Sequence, residues 1–399
     1  MFEEISSTVR KGNYAPPSLP EEGEAIITPE AKEKQLAWTD KVSKLFKPEG
    51  IEDNPDITYP DLMEEASVFA WAGVNFGPEE TYRLMLSIKQ LSMVDNLSYK
   101  FWGKVITRSG DYYICFTEAP DEPDDLDPKV MEGKMGLNKY TYCVCKFAGD
   151  AWTKLPLCTP EMIVVARKIR RFFTGDLDAP VPCYPPFPSG GTEAYLLRAM
   201  VAEITSATHI APDGFFMEGD ESDEGYKTIA PVDPEEFKES YVPSLDAFKD
   251  AGFWKHSELI INAIGRQQLI PQDEEAEDDA QIEQPEPIPP LGAIADDTLP
   301  SGEPAWTIRT APSGVAEGPN SYAVVSSLIW PGAFSCAYGR KYLNVYCGFG
   351  TKASFETYQP PVVPPILGEW VKGEEEEDLV EAADKTTEPV VEEEGGEED

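Results

Sequence analysis

The chain has 399 residues, enough for two or three domains, and 41% of them are hydrophobic, which excludes a wholly disordered protein. Its formal net charge of -40, from 33 Lys and Arg against 73 Asp and Glu, argues against binding to nucleic acid or to anionic membranes. Seven scattered cysteines, with no apolar run of about 20 residues, indicate a soluble, cytosolic chain with reduced thiols.

Residues 1–58 are predicted to form a peripheral N-terminal arm. One helix is expected in it, from Thr28 to about Phe46, because Thr28 precedes a proline that suits the first turn. Leu36 lies off the apolar stripe of this helix. The stripe itself recurs at helical spacing and consists of Trp38, Val42, Leu45 and Phe46.

Two further helices are predicted after residue 59, and together they suggest a helical hairpin or a dimerising arm. The first covers about 60–74. The second begins at Gly77-Pro78 and places four apolar residues along one side: Tyr82, Met85, Ile88 and Leu91.

Three strands follow, predicted from alternating aromatic and β-branched residues. The first two, 99–108 and 112–116, flank the turn-type stretch Ser109-Gly110-Asp111, and the third covers 139–147. An acidic, Pro-rich loop between residues 118 and 128 is expected to stay solvated.

The helix with the clearest predicted ends runs from the N-cap Thr159 to Gly175. Four cations are predicted to lie in its last turns, where they suit the negative end of the helix dipole: Arg167, Lys168, Arg170 and Arg171. Dipole complementation and docking of an acidic protein surface are both open explanations of this cationic cluster. RNA binding is a third explanation, and the net charge of -40 opposes it.

A Pro-rich aromatic loop comes next, and we expect it to form a stiff, exposed ridge suited to a subunit contact. Its residues are Tyr184, Pro185, Pro186 and Phe187. The following helix, from about 192 to 207, has a stripe that is expected to be buried: Leu196, Leu197, Met200, Val201 and Ile204.

The C-terminal part alternates acidic and β-rich segments. An acidic, Pro-rich linker is predicted over 271–303 and a β-rich module over 304–370. Residues 371–399 carry 14 Asp and Glu against two Lys, and they are predicted to be a disordered tail. The predicted fold class is therefore α+β, with N-terminal helices, a mixed helical and antiparallel β head domain over 59–270, the β-rich module, and the acidic disordered linker and tail.

Few residues could support catalysis or ligand binding. His209 and His256 are the two histidines, so an acid–base site or a His-rich metal site has little to build on. Cys143 and Cys145 share a strand face without a second pair at zinc spacing. The stretch 348–352 lacks the spacing of a phosphate loop. We predict no catalytic residue, no cofactor, no metal and no enzymatic activity.

Several motifs follow one another in a characteristic order along the chain. They are Leu155-Pro156, Phe172-Phe173, and the stretches 174–180, 184–188, 196–199 and 204–208. Downstream come the Trp-Pro-Gly-Ala element at 330–333 and the stretch 346–350, which resembles a Tyr-x-Gly-Trp-Gly element with Phe349 in place of Trp. This order closely resembles that of radial spoke head proteins four and six of the 9+2 ciliary axoneme.

The resemblance implies a structural subunit of the radial spoke head, located in the axoneme of a cilium or flagellum after a cytoplasmic stage. It implies a dimer with a paralogous or identical subunit, assembly with spoke head proteins one, nine and ten, and transient contact with central-pair projections. The implied role is to relay mechanical signals between the central-pair apparatus and the dynein arms, which controls motility. An acidic interaction module or assembly chaperone unrelated to cilia is the alternative, and the acidic tail favours it.

We expect the subunit interface to include the cationic cluster, the Pro-rich aromatic loop and Trp330-Pro331-Gly332. Trp330 is expected to be buried between the β-rich module and a neighbour, with Pro331 and Gly332 turning the chain. The acidic tail and linker are hypothesised to face the central apparatus, where like-charge repulsion within about 8 Å would prevent adhesion.

Overall fold

A computed structural model describes residues 33, 57–120, 127–184, 186–219, 227–232, 243–270, 288–311, 322–353, 366 and 368. The predicted helix from Thr28 to Phe46, most of the acidic loop after residue 118, Pro185, residues 271–287 of the linker and the acidic tail lie outside the described residues. The chain divides into two units, 1–355 and 356–399. In the second unit, Ile366 and Gly368 are described, and both are exposed.

The helices of the first unit begin at recognisable capping residues. Asp61 caps the first helix by accepting hydrogen bonds from two backbone amides, Pro78 opens the second, and Thr159 caps the third. The α-helices of the described part are α1 (Leu62–Phe69), α2 (Pro78–Asp95), α3 (Pro160–Ala166), α4 (Glu193–Thr208) and α5 (Leu245–Lys249). Short 3-10 helices lie at Ala70–Ala72, Pro188–Gly190, Ala251–Phe253 and Ile294–Asp296.

An eight-stranded sheet forms the centre of this unit, with the strand order β4-β3-β2-β1-β12-β11-β10-β9. Its first half consists of β1 (Lys100–Val105), β2 (Tyr112–Glu118), β3 (Tyr140–Cys145) and β4 (Thr153–Lys154). Its second half consists of β9 (Trp306–Ala311), β10 (Tyr322–Ser327), β11 (Ala333–Tyr338) and β12 (Lys341–Gly348). Two small two-stranded sheets pair β5 (Ile210–Pro212) with β8 (Trp254–His256), and β6 (Phe216–Glu218) with β7 (Ile229–Pro231).

The two halves of the large sheet are antiparallel meanders, and a parallel pairing of β1 with β12 joins them. Gly103 lies opposite Tyr346 in this pairing. A Cβ atom on Gly103 would lie 2.1 Å from the carbonyl oxygen of Tyr346, so the close approach requires glycine. Strands from the predicted 59–270 core and from the predicted 304–370 module therefore belong to the same sheet.

Both faces of the sheet are covered, because side chains of opposite parity enter separate apolar clusters. The signature face is the one against which α3 and α4 pack, and its sheet residues include Trp102, Tyr112, Tyr142 and Tyr346. On the C-terminal half of the sheet, the side chains of this same face pack against Phe248, Trp254, Ile294 and Leu299. The hairpin face is covered by α1 and α2, and its sheet residues include Phe101, Tyr113, Cys115, Val324 and Val345.

These elements confirm the predicted α+β class and the helical hairpin. The predicted stripe of the second hairpin helix needs correction, because Tyr82 is exposed while Leu84 is fully buried. The buried face is therefore centred on Leu84 and Ile88, which pack on the sheet. The described end of the predicted 271–303 linker is packed rather than disordered, since Ile294 and Leu299 lie in the core.

Candidate interaction surface

The predicted helix from Thr159 to Gly175 is shorter in the structure, because α3 ends at Ala166. Lys168 and Ile169 donate their amides to Val165 and Ala166, a tightening of the last turn that commonly ends a helix. The backbone carbonyls of Phe173 and Thr174 then accept hydrogen bonds from Arg108 and Ser109 beside the sheet. Arg167 is the C-cap of α3 and the other three cations follow it, so the prediction that all four lie in the last turns of the helix is wrong.

Arg167, the first residue of the cluster, binds within the chain. Its Nε donates to Glu203 Oε1 at 2.7 Å, which links the end of α3 to α4. Its Nη1 and Nη2 donate to the carbonyl oxygens of Asn262 and Ile261 at 2.8 and 3.2 Å. Arg167 therefore fixes three segments of the signature face to one another.

Arg171, the last residue of the cluster, approaches a fully buried carboxylate, that of Glu193 in the first turn of α4. Its Nη2 lies 3.3 Å from Glu193 Oε2. The same carboxylate accepts hydrogen bonds from the amide and hydroxyl of Thr174, the amide of Gly175 and the hydroxyl of Tyr112, at 2.8–3.0 Å. Burial and the hydrogen bond to Glu193 raise the pKa of Tyr112, so this hydroxyl stays a donor.

Gly175 completes this arrangement for a steric reason. Its φ is 92°, a left-handed conformation that glycine adopts readily. A Cβ at this position would lie 2.7 Å from Thr107 Oγ1 and 3.0 Å from the carbonyl oxygen of Gly110. Thr174 and Gly175 thus hold the start of α4 against the turn between β1 and β2.

The other two cations of the cluster, Lys168 and Arg170, are exposed. Next to them in the chain, Phe172 is 62% exposed and forms an edge-to-face contact with Phe349, which is 50% exposed, at a ring separation of 5.3 Å. We call Lys168, Arg170, Phe172 and Phe349 the aromatic–cation patch. Exposed aromatic rings beside cations are the side chains that protein interfaces favour.

The Pro-rich aromatic loop divides between the surface and the core. Tyr184 is 99% exposed and Pro186 is exposed, whereas Phe187 is buried against the signature face. The Trp330 element divides in the same way, because Trp330 lies in the core of its own chain and Pro331 is exposed.

Pro331 and Gly332 turn the chain, as predicted. The amide of Ala333 donates to the carbonyl of Trp330 at 3.0 Å, which closes the turn. Gly332 has a φ of 102°, and its Cβ would lie 2.3 Å from the carbonyl oxygen of Cys347. The turn therefore packs directly on β12, and the buried side chain of Trp330 fixes its first residue in the core.

Sequence reasoning missed Phe349 as a partner of Phe172 and Glu193 as the acceptor for the Thr-Gly pair. A signal for Phe349 was present, since it occupies the aromatic position of the Tyr-x-Gly-Trp-Gly element. Glu193 had no such signal, because it looked like an ordinary acidic residue in a helical first turn.

Both histidine side chains have defined environments within the fold. Burial lowers the pKa of His209 to about 4, with Lys139 and Lys100 adding to the effect. His256 Nε2 lies 2.9 Å from Asp297 Oδ2, and the same oxygen accepts a hydrogen bond from Trp306 Nε1 at 2.7 Å. Within the described residues, no group of three or more His, Cys, Asp or Glu side chains is placed to hold a metal ion.

None of the helices in the described part of the chain is both long and apolar enough to cross a membrane.

A family model described as radial spokehead-like protein matches residues 1–132 and 118–394. The chain belongs to this family. Radial spoke head protein 4 homolog A of Homo sapiens is 33% identical over 429 residues, covering 94% of this chain and 59% of that protein. Radial spoke head protein 6 homolog A of Mus musculus is 32% identical over 437 residues, covering 93% of this chain and 60% of that protein. This chain thus spans about three-fifths of the length of these two relatives.

A third relative is covered over a larger share of its own length. Flagellar radial spoke protein 4 of Chlamydomonas reinhardtii is 29% identical over 416 residues, covering 94% of this chain and 85% of that protein.

Proposed function

We propose that this protein is a structural, non-catalytic subunit of a radial spoke head, located in the axoneme of a cilium or flagellum. Membership of the radial spokehead-like family supports this role, and the relatives carry the names of radial spoke proteins. Within the spoke head, the subunit would relay mechanical signals between the central-pair apparatus and the dynein arms. Its partners would be a paralogous or identical subunit and spoke head proteins one, nine and ten, with transient contact to central-pair projections.

The aromatic–cation patch is the surface we assign to a subunit contact. The single observation that carries this assignment is the exposed Phe172–Phe349 pair, because two large apolar rings are held at the surface by backbone that is itself fixed. Ile106 donates its amide to Gly348, just before Phe349, and Arg108 donates to Phe173, just after Phe172. A preorganised aromatic pair loses little conformational entropy on binding.

The charge of the patch predicts the charge of its partner surface. Lys168 and Arg170 are exposed and precede Phe172 in the sequence, on a chain whose net charge is -40. An acidic surface with apolar side chains at its centre would complement this patch, and rim cations of this kind speed association and set orientation. Lys168 and Arg170 are assigned to the contact because they are exposed near Phe172 in the sequence. Arg167 and Arg171 are assigned to the fold, where they bind Glu203 and Glu193.

The test is co-purification of tagged full-length protein from cells that build motile cilia. Phe172→Ser with Phe349→Ser should weaken capture of the other spoke head subunits by at least about tenfold, as for an aromatic hot spot. Lys168→Glu with Arg170→Glu should weaken capture more strongly at low salt than at high salt, because salt screens the attraction between the cations and an acidic partner.

Matched controls are available on another part of the surface. Phe147 is 64% exposed, and Lys154 is exposed on the edge strand β4. Phe147→Ser with Lys154→Glu should leave capture unchanged. Equal capture of the patch variant and this control would reject the patch as an interface, and absence of the wild-type protein from axonemes would reject the spoke-head role itself.

A further inference from the structure

An apolar groove opens on the hairpin face, between the start of α1 and the middle of α2. Its volume is about 370 Å³, within the range of roughly 300–1,000 Å³ that binding clefts usually have. Nearly fully buried side chains line its depth: Leu62, Leu86, Ile88 and Phe101. Partly exposed side chains line its mouth: Tyr59, Met63 and Met85. The mouth is thus apolar and open at the surface.

Two charged residues line this groove, one acidic and one basic: Asp61 and Lys89. Asp61 lines it, and Glu64 and Glu65 follow within the first turn of α1. Lys89 also lines it, and its Nζ lies 5.1 Å from the centre of the Tyr59 ring. Lys341 binds Glu64 at 2.7 Å, which leaves Asp61 as the acidic group at the apolar mouth.

A segment of the same chain has the complementary chemistry. Residues 28–48 carry five Lys against three Asp and Glu, which makes this stretch net basic in a chain of net charge -40. Its apolar stripe, Trp38, Val42, Leu45 and Phe46, has the spacing by which an amphipathic helix enters a groove. Glu33, which the structure does describe, is in helical conformation and exposed.

The connection between segment and groove is short. Twelve residues separate Phe46 from Tyr59, which lines the groove. Such a connection spans at most about 40 Å when fully extended. A tether of this length raises the effective concentration of the segment at the groove to the millimolar range, about that of short flexible linkers.

We propose that the groove binds residues 30–46 of the same chain as an amphipathic helix, with Trp38 and Phe46 entering its apolar mouth. The basic side of that helix faces Asp61. The N-terminal arm is then part of the folded unit, and it covers the outer side of the helical hairpin.

Photo-cross-linking in the full-length protein tests this contact directly. The photoreactive residue p-benzoylphenylalanine replaces Trp38, and the cross-linked peptides are mapped by mass spectrometry. We expect attachment within residues 59–63 or 85–89 of the same molecule. The matched control replaces Leu36, which lies off the stripe, and should give little attachment to either segment. A cross-link elsewhere in the chain overturns the proposal. A covalent dimer also overturns it, because the occupant is then the arm of a second copy.

Trypsin cleavage provides a second, independent readout, since the segment contains five lysines. Trp38→Ser with Phe46→Ser should speed cleavage between residues 32 and 47 by about tenfold or more, while Leu36→Ser should not. Met85→Asp, on the groove side, should speed cleavage in the same way. An unchanged main unfolding transition shows that the core is intact. Equal cleavage of all three variants and the wild type overturns the proposal.

Discussion

The two faces of the central sheet use different physical means to hold their helices. The signature face holds α3 and α4 with buried charged groups as well as apolar contacts. Glu193 accepts hydrogen bonds from five donor groups. Arg198 on α4 donates to the carbonyl of Leu137 at 2.8 Å, and its guanidinium lies 4.8 Å from the Tyr142 ring centre. The hairpin face packs apolar residues around Leu84 and Ile88 and leaves a groove. Its ion pairs with the sheet, Glu64–Lys341 and Glu80–Lys104, are more exposed to solvent.

The difference has a consequence for rigidity. Directional hydrogen bonds to a buried charge fix one arrangement, because every alternative leaves a charge or a donor unpaired. Apolar packing with an open cavity allows neighbouring side chains to adjust. The signature face is therefore suited to hold a surface in a fixed geometry, and the hairpin face is suited to receive another segment.

The largest expected effect concerns the apolar centre of the signature face. Trp330→Ala should lower the free energy of unfolding by about 3–5 kcal/mol, because it removes a buried aromatic side chain beneath a tight turn. Urea unfolding measures the change, and Leu328→Ala, two residues away and 36% exposed, is the control. A loss below about 1 kcal/mol would mean that Trp330 does not anchor this turn.

An intermediate effect is expected at the buried carboxylate. Glu193→Gln keeps the shape but replaces one acceptor oxygen with a donor that faces the amides of Thr174 and Gly175. The loss should be about 2–3 kcal/mol, the range for hydrogen bonds to charged groups. Glu161→Gln, exposed in the first turn of α3, should change stability by less than about 0.5 kcal/mol. Similar losses for the two variants would contradict the contrast between the faces.

The smallest effect, and the one with opposite sign, is expected on the hairpin face. Burial, together with Asp61, raises the pKa of Glu65 from 4.5 to about 7, and Lys100 opposes the shift. The folded protein therefore favours the neutral carboxyl of Glu65. The contribution of this group to the free energy of unfolding is complete below pH 4.5 and is lost as the pH rises through about 7. Glu65→Gln should match the wild type near pH 4 and be more stable by about 1–2 kcal/mol at pH 8.

Thermal or urea unfolding between pH 4 and 8 checks this dependence. Glu64→Gln is the neighbouring control, because Lys341 holds the pKa of Glu64 below its ordinary value. Glu64→Gln should therefore show no gain in stability as the pH rises. A Glu65→Gln variant whose stability runs parallel to the wild type across this range would show that Glu65 ionises normally.

Local patterns predicted the elements whose stability is local. The stripe from Leu196 to Ile204 predicted α4, and every member of it is buried. The helix is buried on its other sides as well, at Arg198 and Glu203 among others. The aromatic and β-branched runs predicted β1 to β3. The fold class could therefore be predicted from the helical and strand spacing of apolar residues.

Features that depend on distant segments were not predictable in this way. The segment after α3 pairs through Phe173 and Thr174 with Arg108 and Ser109, about 65 residues away in the chain. Nothing in the local sequence distinguishes Arg171, which binds Glu193, from Arg170, which is exposed. The predicted interface residues therefore divided between core and surface for reasons that only the tertiary structure supplies.

The parallel pairing of β1 with β12 has a consequence for how the chain is made. β1 ends at Val105 and β12 ends at Gly348, so the middle of the sheet is completed by its last strand. Until that strand has been synthesised, β1 has an open edge, and open edges pair readily with other chains. Pairing across so long a separation is intrinsically slow. A chain that stops before residue 341 would therefore present an unpaired edge at its centre, and it would depend on chaperones to avoid aggregation.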